Sequence, residues 1–158
     1  MSLLSGTIWG SKLDGNSNDV LSAYNGTDTN VTYSAGNGKI VQGAGFAGTG
    51  KIAISATPVL GATTDARSYS FWIKGTMTSG WVATGQVASN YYSLFDISVH
   101  SGGGITFQIN PTNTAADQLV CHTTTTINDG NWHHVVVTYS GNKLVSGVKI
   151  YIDNTSSS

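Results

Sequence analysis

The chain has 158 residues with a formal net charge of −1, and only 9% of its residues are charged. Its seven basic residues are scattered, which argues against a nucleic-acid partner, and no apolar run reaches the roughly 18 residues of a membrane span. A chain of this length buries enough surface to fold as one domain without a metal, and its lone cysteine, Cys121, excludes an internal disulfide.

The beginning of the chain predicts a short strand followed by a polar loop. Residues 7–9 form an apolar start that is typical of a strand. Residues 12–19 (KLDGNSND) are rich in Asp, Asn and Gly, which favour turns over helix. We therefore expect a loop that leaves this first strand.

A clear alternation of side chains appears in residues 69–76 (YSFWIKGT). Successive side chains of a strand point to opposite faces of the sheet. Phe71 and Ile73 are therefore expected on one face, and Trp72 and Lys74 on the other. The segment predicts a strand that is half-buried.

Three further strands are predicted in the second half of the chain. Residues 91–100 and 105–110 predict a hairpin that turns across the Gly-rich residues 101–104. Residues 118–124 predict the next strand, and the thiol of Cys121 is expected to be buried in it.

Residues 129–153 (DGNWHHVVVTYSGNKLVSGVKIYID) predict two antiparallel strands. Residues 132–140 accumulate β-branched and aromatic side chains, and residues 148–153 alternate apolar with polar ones. Residues 140–143 between them are turn-forming types. With about ten strands in all and no helical period, the sequence predicts an all-β fold, an antiparallel two-sheet β-sandwich of the jelly-roll type.

The same stretch, residues 129–153, resembles the fingerprint "DGxWHHVAVTY…YvDG" of laminin G and pentraxin-like domains in the concanavalin A-like lectin/glucanase superfamily. Residues 7–27 resemble the opening of that pattern. Residues 38–54 (GKIVQGAGFAGTGKIAI) resemble its middle, with a short strand at the end, although Ala47 stands where the family has an acidic residue. The resemblance implies a concanavalin A-like jelly roll that binds rather than catalyses, in which His133 is part of the scaffold.

The resemblance also bears on how the domain is closed. Residues 1–158 are expected to form a single laminin G-like domain, with residues 154–158 as a flexible tail. Members of the family continue through further strands, so this domain is expected to lack them or to close its sheet differently. An unpaired edge with few charges favours a homo-oligomer, and a larger parent protein is the alternative.

The chain contains no glutamate, because its eight acidic residues are all aspartate. Retaining glucanases need two carboxylates about 5 Å apart, and the Glu-containing motif of this fold is absent. His133 and His134 are neighbours on a predicted strand and point to opposite faces, which disfavours a shared metal. We therefore expect no enzymatic activity.

A short polar loop is the candidate metal site. Asp14, Asn16, Asn18 and Asp19 offer the hard oxygen ligands that Ca²⁺ prefers. The spacing does not match an EF-hand, and a set of Asx turns is the alternative interpretation. Calcium is the one cofactor that the sequence predicts.

Four residues are candidates for carbohydrate binding: Trp81, Asn90, Tyr91 and Tyr24. Aromatic rings stack on the C–H groups of pyranose sugars, and amides bind their hydroxyl groups. Trp81 lies in the loop-like segment TSGWVATGQ, where both ligand contact and core packing remain open. For the tyrosines, a structural role is the alternative.

Three hypotheses on function follow from these observations. The first is a lectin-like adhesion module that recognises a carbohydrate or a cell-surface glycoconjugate without catalysis. The second is a structural or assembly domain of a phage virion or an extracellular fibre, without a sugar site. A glycan-active enzyme is the third, and the absence of glutamate argues against it. The Thr-, Ser-, Gly- and Asn-rich composition is typical of extracellular and virion-surface proteins.

Overall fold

The computed structural model describes residues 7, 9–54, 63–86, 93–111 and 117–158. The chain divides into two compact units, an N-terminal unit, Met1–Val59, and a C-terminal unit, Leu60–Ser158, where the sequence predicts a single domain. No helix in the described part of the chain is long and apolar enough to cross a membrane.

Antiparallel β-strands make up nearly all regular structure of the described residues. Two one-turn 3₁₀ helices, Ala35–Asn37 and Val145–Gly147, are also present. The strands are β1 (Gly26–Ser34), β2 (Gly43–Ile54), β3 (Arg67–Lys74), β4 (Gly80–Gln86), β5 (Ser93–Val99), β6 (Gly104–Asn110), β7 (Leu119–Thr126), β8 (Trp132–Tyr139), β9 (Val148–Ile152) and β10 (Thr155–Ser156).

The N-terminal unit contains the hairpin of β1 and β2. Its register runs from Gly26 opposite Ile54 to Ser34 opposite Gly43, and it shifts between Thr29 and Val31, where β2 has the extra residues 47–50. The strand predicted for residues 7–9 is not formed by the described residues 7 and 9. Instead, the indole Nε1–H of Trp9 donates to the carbonyl oxygen of Tyr24 at 3.0 Å, so this residue anchors the loop before β1.

Two four-stranded antiparallel sheets form the C-terminal unit. Sheet A has the strand order β10-β9-β8-β3, and sheet B has the order β4-β5-β6-β7. One face of each sheet packs against the other around a shared apolar core. The predicted fold class, an antiparallel two-sheet β-sandwich, is confirmed.

Alternation along the strands decides which side chains fill this core. Phe107 in β6 is fully buried. Its ring centroid lies 6.1 Å from the ring centroids of two residues of sheet A, Tyr69 and Tyr139. Tyr69 also packs on Phe95 of sheet B, with 4.5 Å between the ring centroids. Aromatic pairs at these separations add attraction to the burial of apolar surface. The two sheets are thus joined by large rings at their centre.

The predicted hairpin in residues 129–153 is confirmed as β8 and β9. The segment between them contains Gly141, whose φ of 82° is a left-handed conformation that favours glycine. A Cβ at Gly141 would also lie within 2.2 Å of the carbonyl oxygen of Thr64, so a larger residue would force the backbone to shift.

Residues 154–158 differ from the expected flexible tail. Within them β10 pairs with β9, with Thr155 opposite Ile152. The N–H of Ser157 donates to the carbonyl oxygen of Ile150 at 2.9 Å, and the hydroxyl of Ser158 accepts the N–H of Ile150 at 2.9 Å. These bonds extend sheet A by a short strand beside β9.

We expect Phe107→Ala to lower the free energy of unfolding by about 3–5 kcal/mol, because truncation leaves a cavity at the centre of the sandwich. Urea unfolding followed by intrinsic fluorescence measures this loss. Leu144→Ala is the control: this side chain is 59% exposed, and its loss should change the free energy by no more than about 0.5 kcal/mol. A similar, small effect of both variants would contradict the assigned core.

Candidate functional site

The outer face of sheet B, opposite the core, is a broad polar surface. In β5, β6 and β7, every second side chain points into the core, so the residues between them point outward. We call this surface the polar face; its central residues are Trp81, Thr84, Asp96, Ser98, Thr106, Gln108, Val120 and His122.

Four residues of the polar face lie side by side across all four strands. Trp81 is paired with Ser98, Ser98 with Thr106, and Thr106 with His122. The Thr106 hydroxyl lies 2.8 Å from Nδ1 of His122, which fixes the imidazole ring at this end. We call this set, which runs perpendicular to the strands, the cross-strand row.

A second set of paired residues runs beside the first. Thr84 is paired with Asp96, Asp96 with Gln108, and Gln108 with Val120. The Thr84 hydroxyl donates to Oδ1 of Asp96, which is a buried carboxylate. Asp96 is therefore held in place by its neighbour and faces the same side as the cross-strand row.

His100 supports the far end of the row. Its ring meets that of His122 edge to face, with 5.5 Å between the centroids. Nδ1 of His100 accepts the N–H of Gly102 at 3.0 Å, so in the neutral ring the proton is on Nε2, which lies 3.2 Å from the carbonyl oxygen of Thr123. Both nitrogens of His100 are thus used by the backbone, which makes this residue a support rather than a ligand.

Trp81 is the most exposed aromatic residue of the polar face. Its side chain is 66% exposed, which rules out the core-packing alternative. The expected loop position is wrong, because Trp81 belongs to β4. A bulge between Trp81 and Ala83 inserts Val82 and disrupts the alternation that marks a strand in the sequence.

Of the other three predicted sugar-binding residues, the structure describes Tyr24. Asn90 and Tyr91 lie outside the described residues. Tyr24 belongs to the N-terminal unit and is half-buried. Its backbone accepts the Trp9 indole and donates to Asp19, which is a structural task.

Asp19 organises the loop that the sequence offers as a calcium site. Its side chain is buried, and each of its oxygens accepts two backbone N–H groups. Burial raises the pKa of Asp19, but the four donors outweigh this and hold the pKa below its ordinary value of 3.8. The donors, at 3.1 to 3.2 Å, are the N–H groups of Gly10, Leu21, Ala23 and Tyr24.

These bonds limit what the loop can offer to a cation. Four hydrogen bonds fill the lone-pair directions of the Asp19 carboxylate, so Asp19 does not fit the role of a calcium ligand. Asp14, Asn16 and Asn18 are exposed around the same shallow depression, and Oδ1 of Asn16 accepts the N–H of Asn18 at 2.9 Å, an Asx turn. In the described part of the chain, no three His, Cys, Asp or Glu side chains form a metal-binding group. Calcium at this loop stays a prediction that rests on Asp14, Asn16 and Asn18.

His133 joins the two ends of the β8–β9 hairpin. Its Nδ1 lies 2.8 Å from Oδ2 of Asp153, and its Nε2 lies 3.0 Å from Oδ1 of Asp129. The other oxygen of Asp153 accepts the N–H of His134 at 2.9 Å. This agrees with the scaffold role that the family resemblance implies for His133; the sequence does not reveal the two aspartates as its partners.

The charges of this cluster stabilise one another. Burial lowers the pKa of His133, but the two carboxylates outweigh it and hold the pKa above 6.5. Hydrogen bonds from His133 and Asn131 lower the pKa of Asp129, and those from His134 and His133 lower the pKa of Asp153. The cluster therefore favours the protonated form of His133 and the ionised forms of the two aspartates.

The stability that this cluster supplies should depend on pH. The aspartate contributions are present above pH 3.8 and are lost as the pH falls through the lowered pKa values of the folded state. The histidine contribution is present below pH 6.5 and is lost as the pH rises through the raised pKa of His133. We expect His133→Gln to destabilise the protein most between these two values and less at higher pH.

Thermal unfolding of both proteins over this pH range measures the difference. His122→Gln is the matched control, because the His122 ring contacts Thr106 and His100 rather than a carboxylate. A destabilisation by His133→Gln that is the same at every pH would contradict the charged cluster.

A cavity of about 470 Å³ lies at one end of the sandwich, beside the segment that joins β8 and β9. Its lining includes Tyr139, Leu144 and Val145. The Tyr139 hydroxyl donates to the carbonyl oxygen of Thr63 at 3.0 Å and accepts the N–H of Lys143 at 2.9 Å. This hydroxyl is thus committed to the fold, and the polar face is the stronger candidate for binding.

Comparison with known proteins adds a family to this geometry. A laminin G family model, described as the concanavalin A-like lectin/glucanases superfamily, matches residues 46–157. The matched region begins in β2 and includes all of sheets A and B, whereas residues 7–27, which resemble the opening of the family pattern, lie before it. No significant match was found among curated proteins or among solved structures.

Proposed function

We propose that this chain, which belongs to the concanavalin A-like lectin/glucanases superfamily, is a binding module that recognises carbohydrate through the polar face without catalysis. The family suggests a binding or adhesion module, and the finer step to carbohydrate is our proposal. The observation that carries it is the exposed indole of Trp81 beside the hydroxyl and imidazole groups of the cross-strand row.

The chemistry of the polar face suits a sugar. An exposed indole offers an apolar surface for the C–H groups of a pyranose ring. Ser98 and His122 offer hydrogen-bonding groups along the row, and the buried Thr106 between them holds the His122 ring. A second exposed tryptophan, Trp72 of sheet A, is less suited, because the ring of His134 lies against it with 4.9 Å between the centroids.

Two observations support a function without catalysis. The chain has no glutamate, and Asp96 is the one carboxylate among the described residues of the polar face. Glycoside hydrolysis of the common kinds requires a pair of carboxylates on either side of the bond that is broken. A surface with a single carboxylate is better suited to holding a glycan than to cleaving it.

A glycan array probed with the purified chain tests this proposal. We expect a confined set of glycans to bind, and Trp81→Ala to weaken their binding by about tenfold or more, since loss of stacking removes at least about 1.4 kcal/mol. Trp72→Ala is the matched control, because it removes an exposed tryptophan from the opposite sheet and should leave the affinity unchanged.

The array is run both with calcium and with a chelator. Binding that is lost on chelation would support the predicted calcium site, whereas equal binding would separate recognition from the metal. An array on which nothing binds would contradict the proposal and favour an assembly domain. Equal loss of affinity in Trp72→Ala and Trp81→Ala would contradict the assigned face.

A further inference from the structure

We infer that the glycan is a neutral, extended chain that lies across the strands of sheet B, along the cross-strand row from Trp81 to His122. This inference rests on the proposed function and names the class of ligand that the polar face selects. Three features of the face carry it: its charge, its length and the sizes of its side chains.

The charge of the face argues for a neutral ligand. The four strands of sheet B contain no lysine, arginine or glutamate, and Asp96 is their one acidic residue. Apart from the imidazoles of His100 and His122, the described residues of the face hold no basic group. A sulfated or carboxylated glycan would therefore meet no guanidinium or ammonium group, which are the usual partners of such anions, and would lie close to a carboxylate.

The length of the row argues for several sugar units. Three strand spacings separate Trp81 from His122, which gives a distance of about 14 Å between the strands that bear them. A chain of about three pyranose rings covers this distance at one ring for each strand spacing. A single sugar would contact only one end of the row.

The sizes of the side chains in the row argue for an oligosaccharide that lies extended along the sheet. The two ends of the row are exposed rings, Trp81 and His122, and the two middle residues, Ser98 and Thr106, are short. Thr106 is small and buried, and its hydroxyl lies 2.8 Å from Nδ1 of His122, so it supports the His122 ring rather than projecting from the sheet. The row is therefore low in its middle and raised at both ends, a shape that fits an extended chain better than a branched cluster.

Calorimetric titration with neutral linear oligosaccharides tests this inference. The probes are chains of β-1,4-linked glucose, xylose or mannose and of β-1,3-linked glucose, from the monosaccharide upward, with oligogalacturonates as charged counterparts. We expect the affinity of the neutral chains to rise with length until about three rings fill the row and then to level off. Oligogalacturonates of equal length should bind at least about tenfold more weakly.

Two variants measure separately what each end of the row contributes to binding. Trp81→Ala should weaken the binding of oligosaccharides of every length, whereas His122→Ala should weaken the binding only of oligosaccharides long enough to reach β7. Thr124→Ala is the matched control, because it changes an exposed residue of the same strand outside the row. Circular dichroism confirms that each variant is folded.

The outcomes distinguish this inference from the proposed function. If neither the array nor the titrations detect any glycan, the proposed function itself fails. If branched or anionic glycans bind and neutral chains do not, or if affinity is independent of chain length, the inference is overturned and the proposed function stands. An equal effect of His122→Ala on short and long chains would also overturn it.

Discussion

The packing of sheet A against sheet B around Phe107 is the constraint on which the rest of the C-terminal unit depends. Fully buried residues of both sheets, among them Ile97 and Val135, fix which face of each strand points inward. Because side chains alternate along a strand, the same packing fixes which residues point outward. The polar face is therefore a consequence of the core: with Ile105 and Phe107 inside, Thr106 must lie outside.

The outer faces of the two sheets differ in how far their side chains are engaged with one another. In sheet A, the Trp72 ring on the outer face is packed against His134, and His133, which lies on the same side of β8 as the core residue Val135, is held by two aspartates. In sheet B, the outer groups form two parallel rows, one of which ends in the exposed indole of Trp81. A surface that is polar and nearly free of charge, with one aromatic ring at its edge, is suited to ligands that are themselves rich in hydroxyl groups.

The sequence predicts the strands well and the site poorly, for physical reasons. The alternation in β3 and in the β8–β9 hairpin is local, so these elements are predicted nearly to their ends. The cross-strand row is not local: the register that places Ser98 beside Thr106, and Thr106 beside His122, is set by pairing between strands. Asp19 shows another limit, because Asp and Asn in a short loop have the same pattern whether they bind a cation or cap backbone N–H groups.

The central claim is that sheet B, through its outer face, is the binding surface. The most direct test is an NMR titration of the isotopically labelled chain with a neutral linear oligosaccharide, read out at each backbone amide. The account predicts that the signals of Trp81, Ser98, Thr106 and His122 shift together and saturate at one ligand concentration. Shifts confined to sheet A, or to the loop around Asp14 and Asn16, would contradict it.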